Sequence, residues 1–176
     1  MEVMNALLER RSCKAYKPDP VPGELLEEIL NAAKYAPSGM GKQSPIILCV
    51  TNKELRDRIA RLNGAVMGQG PDFDPFYGAP VVLVVLGSKT VGTYLYDGSL
   101  AMGNLMHAAW GQGLGSCWVH RAKEVFESEE GKTILAELGI EGDYEGIGNC
   151  ILGYRDEAVP YRERLPRKEN YVYYVK

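Results

Sequence analysis

Apolar residues at Leu25, Leu26, Ile29, Leu30 and Ala33 recur with the spacing of one helical face, and Pro37 stops the helix they predict. A shorter helix is predicted over 4–10, and Leu55, Ile59 and Leu62 carry the same period over 53–63. Two runs show no polar alternation at all. "PIILCV" at 45–50 has the length of a strand, and "VVLVVLG" at 81–87 is β-branched and apolar throughout, which predicts a central strand covered on both faces. Between the helix at 53–63 and that strand lies "GQGPDFDPFYGAP", whose glycines and prolines predict a loop over 68–80. Asp97 is placed to cap a long helix over 98–113, whose Gly and Ala content lets another backbone approach closely. A strand at 114–120, short helices at 122–126 and 131–138, and a fourth strand at 147–154 complete the pattern.

The last segment, 155–176, departs from it. Polar residues and prolines run to Asn170 before the β-prone "YVYYV". An arm of this length does not tuck readily into its own core. Its terminal strand is expected to pair with the sheet edge of a second copy, giving an intertwined homodimer. The whole reads as one α+β domain over 1–176. With 176 residues, 45% of them hydrophobic, the chain can bury a sizeable core.

The net charge of −3 argues against a general nucleic-acid binder, which would carry a basic face. Cys13, Cys49, Cys117 and Cys150 are far apart and lack a C-x-x-C pair, so no metal is expected. Cys49 and Cys150 lie within apolar runs and read as core thiols of a reducing compartment. No leader pattern and no run of membrane-spanning length is present, and a cytoplasmic protein without membrane partners is expected.

Two stretches carry candidate chemistry. "ERRSCK" places Arg10, Arg11 and Lys14 around Ser12. Arg grips phosphate bidentately, Ser offers a hydroxyl, and Lys brings a point charge on a flexible stem. Such donors suit a ligand with a phosphate at one end and a second anionic feature further along, the shape of flavin mononucleotide (FMN). "APSGMGKQSP", at 36–45, resembles a triphosphate loop at its Gly-Lys pair. It has Ala36 where that loop needs Gly and Gln43 where it needs Ser or Thr, and it follows a helix, so that reading fails. "GQGLG" likewise fails as a dinucleotide fingerprint, because it leaves a helix and enters a strand.

"RRSCKAYKPDPVP", "AKYAPSGMGKQSP", "YGAPVVLVV", "GLGSCWVH" and "GIGNCILGY" occur in the order and spacing of the nitroreductase family of FMN-dependent oxidoreductases, which the chain resembles from Leu7 to Val175. The resemblance implies an α+β fold: a mixed central sheet flanked by helices, in a homodimer with a swapped C-terminal arm and one FMN in each interface cleft. It implies that Arg10 and Ser12 hold the phosphate and ribityl chain, with Arg11 on phosphate or structural duty, while Lys14 reaches the N1 and O2 edge and stabilises the reduced flavin. Pro37, Ser38 and Gly39 of the partner copy would lie against the same flavin, followed by Lys42 and Gln43. The family usually has Asn where this chain has Lys42. Cys117, Trp118, Val119 and His120 would pass the ring; Trp118 and His120 are equally readable as structural residues. Asn63 either faces the pyrimidine edge or caps a helix, and Arg167, or else Arg164, would reach the phosphate. The loop with Phe73, Phe76 and Tyr77 is either a substrate lid or packed surface. The implied reaction takes hydride from NADH or NADPH and reduces a small organic acceptor, such as a nitroaromatic or quinone, by a ping-pong mechanism. Storage of FMN without turnover, or a relative's chemistry such as dehalogenation, are the alternatives.

Overall fold

The computed structural model describes residues 3–176. Helix α1 (Val3–Glu9) is followed by α2 (Gly23–Lys34), whose inward residues Leu26, Ile29 and Ala33 are the ones the periodicity selects. A short 3-10 turn at Gly39–Gly41 leads into β1 (Pro45–Val50). Then come α3 (Lys53–Val66), β2 (Val81–Ser88), α4 (Tyr94–Gly111) and β3 (Gly115–Val119). Helices α5 (Ala122–Glu127) and α6 (Glu129–Glu137) precede β4 (Tyr144–Gly153).

The strands form one sheet in the order β1-β2-β4-β3. All three pairings are antiparallel, so the mixed sheet expected from the sequence is corrected: its parallel component is a single bridge, Ser12 to Ser116, at the outer side of β3. The physical reason is connectivity. A parallel ladder needs a strand on the free edge of β3, and the chain supplies only a few extended residues around Ser12 there.

Strand β2 explains its own sequence. Val82, Val84 and Leu86 face a core shared with α3, α5 and α6, whereas Val81, Leu83 and Val85 face one shared with α2 and α4. A strand covered on both sides gains nothing from polar alternation, and Val82 to Leu86 are fully buried. The close approach of α4 is made possible by Gly98, where an added Cβ would lie 2.6 Å from Ile147 Cγ1. Ile147 itself sits at the irregularity where β4 slips register against Val85 and Leu86.

Two expectations change. Cys150 is fully buried, but Cys49 is exposed, because β1 is an edge strand whose outer positions nothing covers. Asp97 does not cap α4: the helix begins three residues earlier, at Tyr94, and Asp97 is a buried residue inside it. Residues 171–175, whose expected pairing is with a second copy, form no strand within the single chain and are 59–96% exposed.

Candidate functional site

Immediately after α1 the chain passes along the edge of β3, fixed by the Cys13 amide donating to the Ser116 carbonyl at 2.9 Å. This register places Arg11, Ser12 and Lys14 on one wall of a cleft of about 630 Å3, with Cys117 and Trp118 of β3 beside them. Tyr77 and Arg155 add to the lining, and Val159 to Glu163 of the C-terminal segment close one side. A neighbouring cavity of about 340 Å3 shares Lys14, Tyr77, Cys117 and Trp118 and continues past Val119 and His120 to Arg121. The two volumes form one trough along β3, of the size that small-molecule sites occupy.

The trough is cationic. Arg11 Nη2 donates to the Arg162 carbonyl at 2.7 Å, and its guanidinium lies 5.8 Å from the Tyr161 ring centroid. Arg155 covers the same ring at 4.1 Å. Lys14 Nζ stands 5.3 Å from the Tyr77 centroid, and among the described residues it has no carboxylate at ion-pair distance. Arg10 lies on the α4 side, where burial and the Arg10 charge together hold His107 below the usual imidazole range. Its Nη1 is buried without a hydrogen-bond partner. A buried guanidinium nitrogen left unpaired is costly, and an incoming anion would satisfy it.

The floor is held neutral. Burial pushes the Cys13 thiol up from its ordinary value, and the thiol donates to the Ala15 carbonyl at 3.2 Å. The Tyr16 phenol, also raised by burial, donates to the Cys13 carbonyl at 2.8 Å. Neither group is prepared to act as a nucleophile at neutral pH.

The loop of 68–80 is anchored where it meets this trough. Arg56, 8% exposed, reaches Asp74 Oδ2 at 2.6 Å and the Ala79 carbonyl at 3.2 Å. Asp74 also accepts the amides of Phe76 and Gly78, at 2.9 and 2.7 Å. Phe76 is fully buried, while Tyr77 projects with a left-handed φ of 53°. The loop is therefore packed over 74–80, with Tyr77 as its contribution to the trough, while 68–73, Phe73 included, are exposed.

The candidates of the turn at 37–43 do not meet here, nor do Asn63, Arg164 and Arg167. Pro37, Ser38 and Gln43 line a separate cavity of about 390 Å3 between α2, β1 and α4, with Gly39 in the same turn and Lys42 exposed. In one chain they share no cavity with Lys14. Asn63 is corrected on both of its readings: it is fully buried in the interior of α3, accepting from Asn149 Nδ2 at 3.1 Å, and the N-cap of that helix is Asn52. Trp118 is half-buried with Nε1 unpartnered, and His120 is exposed rather than a satisfied core residue. Arg164 lies 3.3 Å from Glu9, and Arg167 is exposed outside the cleft. Arg155 and Tyr161, which the sequence reading missed, sit in a polar stretch with no periodic signal, and only their stacking marks them. Among the described residues no cluster of His, Cys, Asp or Glu could hold a metal, and no helix is long and apolar enough to cross a membrane.

The chain superposes on a nitroreductase from Bacteroides fragilis whose crystal structure holds FMN, with a TM-score of 0.89 at 27% identity over all of both chains. A nitroreductase with bound FMN from Desulfitobacterium hafniense gives 0.85 at 26% identity, again covering both chains fully. A curated relative from Methanothermobacter thermautotrophicus is 31% identical over 124 residues, 67% of this chain. An FMN reductase [NAD(P)H] of Bacillus subtilis is 29% identical over 130 residues, 65% of this chain. The chain spans 60% and 52% of the lengths of those two relatives. The model of the Nitroreductase family matches residues 7–173, the span that contains every wall of the trough, and the chain belongs to that family.

Proposed function

We propose that the chain is one subunit of a homodimeric, NAD(P)H-dependent FMN oxidoreductase that reduces a small organic acceptor such as a nitroaromatic or a quinone. The observation that carries this is the trough along β3, with Ser12, Arg11 and an unneutralised Lys14 on one wall and the aromatic rings of Trp118 and Tyr77 in its lining; on the α4 side, next in sequence to Arg11, Arg10 has a buried nitrogen lacking an acceptor. These donors fit a phosphate-bearing, planar cofactor. The names of relatives support the same reading, including the FMN reductase [NAD(P)H] and a nitrobenzene nitroreductase of Ectopseudomonas oleovorans, 24% identical over 202 residues.

Bound FMN would supply hydride acceptance from a nicotinamide and delivery to the acceptor. The chain's own residues supply the rest. Arg10, Ser12 and Arg11 bind the phosphate and ribityl end. Lys14 places a positive charge in a cleft where part of the solvent is displaced, so that the charge acts more strongly than in bulk water. Trp118 and Tyr77 orient flat molecules and exclude water. No side-chain acid or base is required, and the neutral thiol of Cys13 keeps the floor unreactive. Ser38 and Gly39 act from the second copy, with Pro37, Lys42 and Gln43 flanking them, and the arm of 155–176 extends across to it. Arg167 is a phosphate ligand in that assembly, with Arg164 second. The free thiols support a reducing, cytoplasmic setting.

Purified protein mixed with FMN should bind it with a visible flavin spectrum. NADH or NADPH under anaerobic conditions should bleach that spectrum, and p-nitrobenzoate or a benzoquinone should restore it. A protein that gains no flavin absorption overturns the proposal; one that binds FMN but is bleached by neither nicotinamide is a storage protein.

A further inference from the structure

The stretch from Ser38 to Ser44 is shaped by one buried carboxylate. Asp97 Oδ1 accepts the Gly39 amide at 2.9 Å, and Oδ2 accepts the Ser44 and Thr93 hydroxyls at 2.7 and 3.1 Å. Asp97 is 3% exposed, and among the described residues no cation pairs with it. Burial alone would raise its carboxyl, but the bonds from Ser44, the Gly39 amide and Thr93 outweigh that and hold it below the usual range. It is thus charged at neutral pH, with two of its hydrogen bonds coming from the stretch of 38–44 and the third from Thr93 at the head of α4.

The turn needs an external hold. Met40, Gly41 and Gln43 have φ of 52°, 66° and 47°, and two of these are L-residues in the left-handed region. The Gln43 amide closes the turn on Ser38 Oγ at 3.0 Å. The turn also lies directly on α4: a Cβ at Gly39 would come 2.3 Å from Thr93 Oγ1. A strained segment persists only where its surroundings over-determine it, and such segments cluster at ligand sites.

We propose that Asp97 is a positioning residue of the flavin site, presenting Ser38 and Gly39 of one chain to the FMN held by Arg10, Ser12 and Lys14 of the other. This rests on the dimeric FMN-binding reading above. It adds a residue that touches no cofactor and acts from α4 through the shape of the turn.

The test is made on the full-length dimer. Asp97→Ala should raise the FMN dissociation constant by about tenfold or more, the scale of one lost hydrogen bond to a buried charge. In the FMN-free protein the amides of 39–43 should lose hydrogen-exchange protection. If the Ala variant does not fold, Ser44→Ala deletes one bond from the turn side and should weaken FMN by about fivefold. Unchanged affinity and unchanged protection overturn the proposal.

A mixed dimer separates positioning from general damage. One chain carries Asp97→Ala and the other Arg10→Ala with Ser12→Ala, so each homodimer has only defective sites. If Asp97 serves the partner's flavin, the mixed dimer regains one site of wild-type affinity, built from intact cations on the first chain and an intact turn on the second. No recovery overturns the proposal. The underlying reading fails separately, and first, if wild-type protein is monomeric or does not bind FMN.

Discussion

At the residue scale the decisive feature is a cation without an anion. Four of the ten lysines find a carboxylate among the described residues, Lys89 with Asp143 and Lys132 with Glu129 among them. Lys14 instead has an aromatic face beside it, 5.3 Å away. Cation–π attraction orients an ammonium without neutralising it, so its field remains available to a ligand. Replacing Lys14 with Met keeps the stem's packing and removes the charge. The flavin midpoint potential should then fall by about 30 mV, which for a two-electron couple corresponds to ~1.4 kcal/mol. A potentiometric titration against reference dyes reads this directly, and Lys14→Arg should restore most of it. A potential identical in Lys14→Met and wild type would remove Lys14 from its assigned role.

At the element scale the loop before β2 shows how a rigid wall is made from a segment that composition marks as irregular. Arg56 and Asp74 fasten it from beneath, and the pair is intermediate in exposure, with side chains 10% and 34% accessible. Breaking it with Arg56→Ala should cost about 2–3 kcal/mol, between the values for exposed and fully buried pairs. Urea unfolding measures that loss, and weaker retention of planar acceptors should accompany it through Tyr77. Burial would raise the Asp74 carboxyl, but Arg56 and the amides of Gly78 and Phe76 hold it below its ordinary 3.8. A depressed folded pKa contributes stability that is complete above the unfolded value and lost as pH falls through the folded one. Loop protection should accordingly be constant above about pH 5 and decay below about pH 4. The loop's existence was legible in its glycines and prolines, and β2 and α2 were legible because burial imposes a local period. The anchoring by Arg56 was not, because an Arg in a helix pattern reads as solvent-facing until the neighbouring loop is folded over it. Asp97 misled for the same reason: its partners, Ser44 and Gly39, are more than fifty positions away in the chain. The cations of 10–14 were legible as a cluster, whereas their meeting with Trp118 depends on the Ser12 to Ser116 bridge, which no local pattern encodes.

At the scale of the whole molecule, the apolar surface is distributed as if part of a core were missing. Helix α1 exposes Val3, Met4, Leu7 and Leu8 at 50–74%, and α4 exposes Leu95, Tyr96 and Leu100 at 45–73%. Tyr35 and Met40 are more than 80% exposed beside the strained turn, and the arm adds Tyr171 to Val175. Scattered exposed hydrophobes need no explanation, but two helix faces and a terminal segment of one kind call for a cover. A second copy would provide one, since a two-fold interface pairs the same faces on both chains. Sedimentation should therefore give a dimer, and its melting temperature should rise with protein concentration as mass action requires. Tyr96→Lys combined with Leu100→Lys should yield a folded monomer, because neither side chain contributes to either core. Its flavin affinity should fall with dissociation, since the turn of Ser38 and Gly39 would then be absent from the partner's trough. Removal of 171–176 should leave the far-ultraviolet circular dichroism almost unchanged, as these residues form no helix or strand within the chain, while raising the dimer dissociation constant. A wild-type monomer that binds FMN tightly would show that one chain suffices, and would transfer the burden of the site to the chain's own C-terminal segment, which already closes one side of the trough at Val159 to Glu163.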